Sequence, residues 1–428
     1  MGAAGKDFHI FNTIYRDRPE YRVVAFTHTQ IPELGNRIYP PRLAGKLYPE
    51  GIPIEPEEDI VGLIRENEVD EVIFSYSDVS YDYIAERERI VQQAGAILRL
   101  AEVERMMIPS LKHCIAITAV RTGAGKSTVT RRVVQILRDK GRRLAVIRHP
   151  MPYGDLAAQE FQVFRTFDDL DRYHCTIEER EEYEPHIKMG TTVFAGVEYG
   201  RILQEAEKEA DVMIWDGGNN DVPFYRPDVW ICVADPLRAG HELDYYPGKI
   251  NFTKADAIVI NKCDVANEAD IETVLGNAAK LNADAMIIRA NSPITVDKPD
   301  QIEGRRVLVV EDGPTVTHGE MKSAAGMLAA KKFGAKMIVD PRPYATGTIA
   351  DIFEKYPEVG PLLPSMGYSD RQRKDLEKTI ELCECDTVIV ATPIDLSRIV
   401  TTKKNMVRVT FELDDSKKPN LQALLRDF

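Results

Sequence analysis

The stretch "AVRTGAGKST" (residues 119–128) decides how the rest of the chain is read. A phosphate-binding loop runs Gly, four residues, then Gly-Lys-Ser/Thr. Gly125, Lys126 and Ser127 fit, whereas Val120 stands in the first glycine's place and Arg121 follows it. Upstream, "HCIAITAV" (113–120) reads as a buried strand. Downstream, "STVTRRVVQILRDKG" (127–141) has apolar residues at helical spacing and a Gly stop. In a strand–glycine loop–helix frame, backbone N–H groups and the positive end of the helix converge on phosphate oxygens. Thr122, Gly123, Ala124 and Gly125 would then line the phosphates of a nucleotide. Lys126 would reach the β and γ phosphates, the Ser127 hydroxyl would join a Mg²⁺ shell, and Thr128 would sit near the α phosphate.

Four more short apolar strands follow, "RLAVIRH" (143–149), "ADVMIWD" (210–216), "DVWICVAD" (228–235) and "ADAIVINK" (255–262). In open α/β sheets ligands bind outside the carboxyl ends of the strands. Asp216 stands there as a Walker B carboxylate for Mg²⁺, or as part of a plain turn in "DGGNND". Arg148 and His149, with Asp155 in the following loop, occupy the switch position; Asp155 would be a second Mg²⁺ contact or align a nucleophile. Arg238 and His241 in "DPLRAGHE" join Arg148 and His149 as candidate binders of a phosphorylated substrate. "NKCD" offers Asn261, Lys262 and Asp264 in the order that reads guanine in P-loop GTPases, Asp264 accepting from the base N1 and N2. Lys126, Arg121, Asp155 and Asp216 are the catalytic candidates.

The 428 residues divide into an N-terminal Rossmann-like α/β unit (1–111), a P-loop NTPase unit with a parallel sheet (112–300) and a C-terminal Rossmann-like α/β unit (301–428). In the first, strands are expected at 21–27, 71–77 and 96–100, helices at 57–67 and 81–94, and an ordered loop over 36–56. "MGAAGKDFHIFN" at the start reads as a glycine turn opening a helix, with no strand before it. In the third, strands are expected at 306–312, 336–340, 386–392 and 407–413, with a helix over 319–334. Thr315, Thr317, His318 and Gly319 at that helix entrance either bind an anion or simply cap the helix. "HCTIEEREEYEPH" (174–186) reads as a solvated acidic helix with a Thr176/Glu179 capping box rather than a metal site.

A net charge of −13 and a pI near 5.3 exclude nucleic-acid binding through a general basic face. The six cysteines fit reduced thiols in the cytoplasm, Cys383 and Cys385 flanking a strand. No apolar run reaches the ~18 residues of a membrane span, so no membrane partner is expected.

Aligned on Gly125-Lys126-Ser127, Arg121 falls where the class holding MinD-like and dethiobiotin-synthetase-like proteins carries a signature lysine, a residue that often acts across a dimer. The strings "GAAGKDFH", "RHPMPYGDL", "WDGGNNDVPFY", "DPLRAGHE", "NKCD" and "VEDGPTVTHGE" make the chain resemble cyclic 2,3-diphosphoglycerate synthetase-like proteins and predicted GTPases. The resemblance implies ATP or GTP with Mg²⁺, a small anionic phosphorylated substrate, formation of an intramolecular phosphoanhydride, and a possible homodimer. A regulatory or chaperone-type GTPase that switches with a protein partner is the alternative.

Overall fold

The computed structural model describes residues 1–2, 5–29, 37–150, 155–218, 221–312, 325–365, 370–392, 396–398 and 400–428. In the N-terminal third, β1 (Phe26–His28), β2 (Arg37–Tyr39) and β3 (Ile52–Pro56) form one small sheet in the order β1-β3-β2. β4 (Glu71–Phe74), the short β5 (Val79–Ser80) and β6 (Ile97–Leu100) follow, β4 pairing parallel with β6. The strand expected at 21–27 is thus reduced to its last residues. The segment read as a loop over 36–56 supplies two strands, because Ile52 and Ile54 alternate inward and cover Phe8 and Phe26. Met1 and Gly2 lie between the two sheets: the Gly2 amide donates to the Thr27 carbonyl (2.9 Å) and the Ser75 amide to the Met1 carbonyl (3.0 Å). The glycine turn therefore opens the helix Lys6–Ile10 between the ends of β1 and β4.

The central unit contains β7 (His113–Ala119), β8 (Leu144–Arg148), β9 (Gln162–Phe164), β10 (Thr192–Ala195), β11 (Val212–Gly217) and β12 (Val229–Ala234). It continues with β13 (Tyr245–Tyr246), which pairs antiparallel with β5, then β14 (Ala257–Ile260) and β15 (Met286–Arg289). Eight of these make one sheet in the order β15-β14-β12-β7-β11-β8-β10-β9, and only β9 runs antiparallel to its neighbour. β7 is central and buried on both faces, which is why its sequence is a continuous apolar run rather than an alternation. Parallel strands release their following loops at one edge, so those after β7, β8, β11, β12 and β14 gather there. β9, β10 and β15 are strands that the sequence reading did not anticipate.

The C-terminal sheet takes β16 (Ile294–Val296), β17 (Arg306–Asp312), β18 (Met337–Ile338), β19 (Leu363–Ser365), β20 (Thr387–Ala391) and β21 (Asn405–Phe411), ordered β16-β21-β20-β17-β18 with β19 also on β17. The chain then returns to the central unit. Leu421 and Leu425 join the core that holds Val133 and Leu137 of the P-loop helix, and Arg132 pairs with Asp415 at 2.9 Å. The molecule is an α/β protein with a P-loop sheet between two smaller α/β units.

The acidic helix, Ile177–Lys188, has its capping box: the Glu179 amide donates to Thr176 Oγ1 and the Thr176 amide to Glu179 Oε2. It is not solvated as expected. Ile177 packs into the C-terminal core while Tyr183 and Ile187 pack into the central one, so the helix is wedged between sheets with Glu178, Glu179, Glu181 and Glu184 buried. Cys383 and Cys385 are free thiols, and no helix among the described residues is long and apolar enough to cross a membrane.

Candidate functional site

The loop between β7 and the helix Lys126–Asp139 is braced from behind by residues that follow other strands. Gly125 has φ +106°, and a Cβ there would lie 2.1 Å from Asn261 Nδ2, so the position tolerates only glycine. Asn261, fully buried after β14, donates through Nδ2 to the Ala124 carbonyl at 3.0 Å. Lys262 Nζ donates to the Gly123 carbonyl (2.7 Å), and Arg238 Nη2 to the Thr122 carbonyl (2.8 Å). Both cations are held by one carboxylate at the end of β12, Asp235, at 2.8 and 2.9 Å. Burial works to raise the Asp235 pKa, but Lys262 and Arg238 outweigh it and keep the group ionised. Thr128 Oγ1 turns back onto the Gly125 carbonyl (2.7 Å), while Ser127 stays exposed at the helix entrance.

On the other side of the loop Lys126 Nζ donates to Asp216 Oδ1 at 2.7 Å, and Thr130 Oγ1 donates to the same oxygen at 2.8 Å. Asp216 Oδ2 lies 2.6 Å from Arg148 Nη1 and 3.5 Å from His186 Nε2, and Arg148 Nη2 reaches on to Glu182. Burial opposes the Asp216 charge, yet Arg148 and Lys126 hold its pKa well below the usual carboxylate range. Burial lowers Lys126 and His186 in turn. Glu182 and His186 both come from the acidic helix, which thereby takes part in the site.

Arg121 does not extend away from its own chain. Its side chain is 1% exposed; Nε donates to Asp78 Oδ1 (2.7 Å) in the N-terminal unit, Nη1 donates to His241 Nδ1 (2.9 Å), and the guanidinium lies 3.6 Å from the centre of the Tyr245 ring. The four basic candidates fall into two groups. Arg148 and His149 leave β8 beside Asp216 and Asp221, whereas Arg238 and His241 lie on the Arg121 side of the loop. Asp264 is exposed, and its Oδ1 accepts the Ser292 amide at 2.9 Å. Asp155 is exposed too: its carboxylate caps the Ala157 amide and feels the charge of Arg37, with no contact to Ser127 or Asp216 among the described residues. Thr315, Thr317, His318 and Gly319 lie outside the described residues.

Asp78, Asp235 and Asp221 were not singled out from the sequence. Asp235 stands at a strand end and Asp221 lies in "DGGNND", signals that position alone supplies. Nothing in the sequence around Asp78 marks it as the partner of Arg121.

Among the described residues no three His, Cys, Asp or Glu side chains cluster as a ready metal cage. The exposed Ser127 hydroxyl and the ionised Asp216 carboxylate are the oxygen groups that stand beside the loop.

No profile of a known protein family matches the chain. Over all 428 residues it is 55% identical to arginine synthetase ArcE of Thermococcus kodakarensis, spanning 96% of that protein. The chain belongs to the ArcE family. ArcE kinship therefore runs through all three units and is not limited to the phosphate loop. Among solved structures the chain is similar to LpxK from Aquifex aeolicus in complex with ATP (TM-score 0.46, 11% identity, 81% of this chain and 97% of that one). It is also similar to MinD in the MinC:MinD complex of Aquifex aeolicus (TM-score 0.19, 13% identity, 57% and 86%).

Proposed function

We propose that this chain is a Mg²⁺-dependent, nucleotide-driven arginine synthetase. The observation that carries the reading is the 55% identity to ArcE from end to end, over a P-loop whose lysine and facing carboxylate sit 2.7 Å apart. A guanidinium differs from a ureido group by having nitrogen in place of the carbonyl oxygen. That oxygen leaves only after activation, and a γ-phosphoryl group is the activator a P-loop supplies. The ureido oxygen would form a bond to Pγ while the bond to the bridging oxygen breaks, its electron pair staying on the nucleoside diphosphate. Ammonia would then attack the carbon, phosphate would leave with the oxygen, and the nitrogen would shed its surplus proton to water.

In this reading Gly123, Ala124 and Gly125 offer backbone N–H groups to the phosphates, and Lys126 exchanges Asp216 for the β and γ oxygens. Mg²⁺, when bound, would neutralise the same oxygens, held by Ser127 and, through water, by Asp216. Arg148 keeps Asp216 ionised and in place. Asn261 and Lys262 hold the loop in shape, leaving Asp264 to face the base of ATP or GTP.

The cyclic 2,3-diphosphoglycerate reading calls for a strongly basic acceptor pocket. Arg148 is paired with two carboxylates, Asp216 and Glu182, which favours a less anionic acceptor beside it. The test is to incubate the full chain with Mg²⁺, ATP or GTP, and either citrulline (the ureido analogue of arginine) with ammonium, or 2,3-diphosphoglycerate. Amino-acid analysis and phosphorus NMR read the products. Arginine and nucleoside diphosphate in equal amounts are expected; no arginine with either nucleotide overturns the reading.

A further inference from the structure

The function above leaves the N-terminal glycine turn without a role, although it faces the P-loop unit. Gly5 has φ +119°, and a Cβ there would lie 3.4 Å from His149 Nδ1. The next residue, Lys6, has a side chain only 3% exposed. Its Nζ has long contacts throughout: 3.3 Å to Tyr246 Oη, 3.4 Å to Ser77 Oγ, 3.7 Å to Asp221 Oδ1 and 4.6 Å to the centre of the Tyr246 ring. An ammonium carries three donors and good bonds lie below ~3.2 Å. A buried charge so weakly coordinated is costly unless a further acceptor completes it.

Across from Lys6 stands Asp221, which accepts from Ser77 Oγ and lies 3.1 Å from His149 Nε2. That His149 nitrogen is buried without a well-aligned hydrogen bond, while its Nδ1 meets the Tyr199 hydroxyl. The cluster is continuous with the P-loop centre. The Asp221 amide donates to the Gly218 carbonyl (3.1 Å), His149 packs on Gly218, and both segments adjoin the Asp216–Arg148 pair. A cation, a hydroxyl, a carboxylate and an imidazole thus meet in one largely buried cluster, drawn from the N-terminal turn, the end of β4, and the loops after β8 and β11.

We propose that Lys6, Ser77, Asp221 and His149 form the subsite for the reacting head of the acceptor, a ureido group. This rests on the synthetase reading. A ureido group presents one carbonyl oxygen, which suits Lys6, and N–H groups, which suit Asp221 and the Ser77 hydroxyl oxygen. A phosphate in the same place would be repelled by Asp221, which its neighbours keep ionised. Lys6 would hold the oxygen facing the nucleotide and then neutralise the phosphate forming on it.

The experiment titrates citrulline into the full chain loaded with Mg²⁺ and a non-hydrolysable ATP or GTP analogue, and measures arginine formation alongside. Lys6→Met keeps the buried stem and removes the charge; Lys6→Arg restores it. Ser77→Ala is a milder second variant at a partly exposed position, in case Lys6→Met loses its fold by circular dichroism. Citrulline binding is expected to weaken about tenfold or more, the size of one charge-assisted hydrogen bond. In Lys6→Met kcat should fall about 10²-fold, as when a donor to developing charge is removed. Nucleotide binding should be unchanged, and Lys6→Arg should recover part of kcat. Wild type that binds no citrulline, or Lys6→Met and Ser77→Ala that bind it as wild type does, overturns the subsite. Lys6-dependent citrulline binding without any arginine formed upholds the subsite and removes the synthetase reading instead.

Discussion

His9 is stacked on Phe224, ring centres 4.0 Å apart and 4° from parallel, with Nε2 donating to the Met106 carbonyl at 2.7 Å. Burial pushes its pKa down to about 3, the bond to Met106 only partly opposing. The folded protein therefore keeps His9 neutral where the unfolded chain, with an ordinary value near 6.5, takes up a proton. Its contribution is present above pH ~6.5 and is lost as pH falls from there towards ~3. By pH 5 the loss amounts to about 2 kcal/mol. Urea unfolding at pH 7 and pH 5 checks this: the stability of His9→Phe, which keeps the stack, should fall less than that of wild type. An equal fall in both proteins would show that other groups carry the acid sensitivity. At this scale the sequence revealed Lys126 and Asp216, because motif spacing and strand ends place them. It did not reveal that Asn261, read as a base contact, has its amide on the Ala124 carbonyl.

The acidic helix shows where element-level reading works and where it stops. Its start was legible because Thr176 and Glu179 are three residues apart and satisfy each other's amides locally. Its burial was not legible: a run of glutamates signals solvent unless distant segments supply partners. Arg148 for Glu182 and Ser365 Oγ for Glu181 come from the end of β8 and from β19 of another sheet. Thr176→Ala removes one capping bond and should lower stability by about 1 kcal/mol. Because this helix delivers Glu182 and His186 to the Asp216 network, turnover should also drop while nucleotide affinity holds. Thermal unfolding and nucleotide titration of the variant separate the two effects, and unchanged thermal stability would mean that the cap is replaced by water.

Across the whole molecule, Arg121 and Asp78 act as a clasp between the N-terminal and P-loop units, beside the β5–β13 pairing. Arg121→Ala leaves the Asp78 carboxylate, 6% exposed, without its cation. Removing one partner of a buried pair costs about 3–5 kcal/mol. The variant should unfold at lower urea, and protease should cut first near the junction at 101–112. Lost dimerisation with unchanged stability would instead restore the cross-subunit role implied by Arg121's position in the motif.

By itself the sequence determined the five inner strands of the central sheet, the phosphate loop and its helix, and the strand ends that bear Asp216 and Asp235. These follow from short-range physics: apolar periodicity, glycine at a left-handed turn, and capping within one turn. The short strands β2 and β3 escaped it, since hydrogen bonds to partners elsewhere in the chain define them as strands. Only the tertiary structure decided which charges meet. Lys6 beside Asp221, Arg121 on Asp78 and Lys262 on Asp235 join residues 215, 43 and 27 positions apart. The choice of partner for a buried charge depends on which chain passes close enough to exclude water, and no local pattern records that.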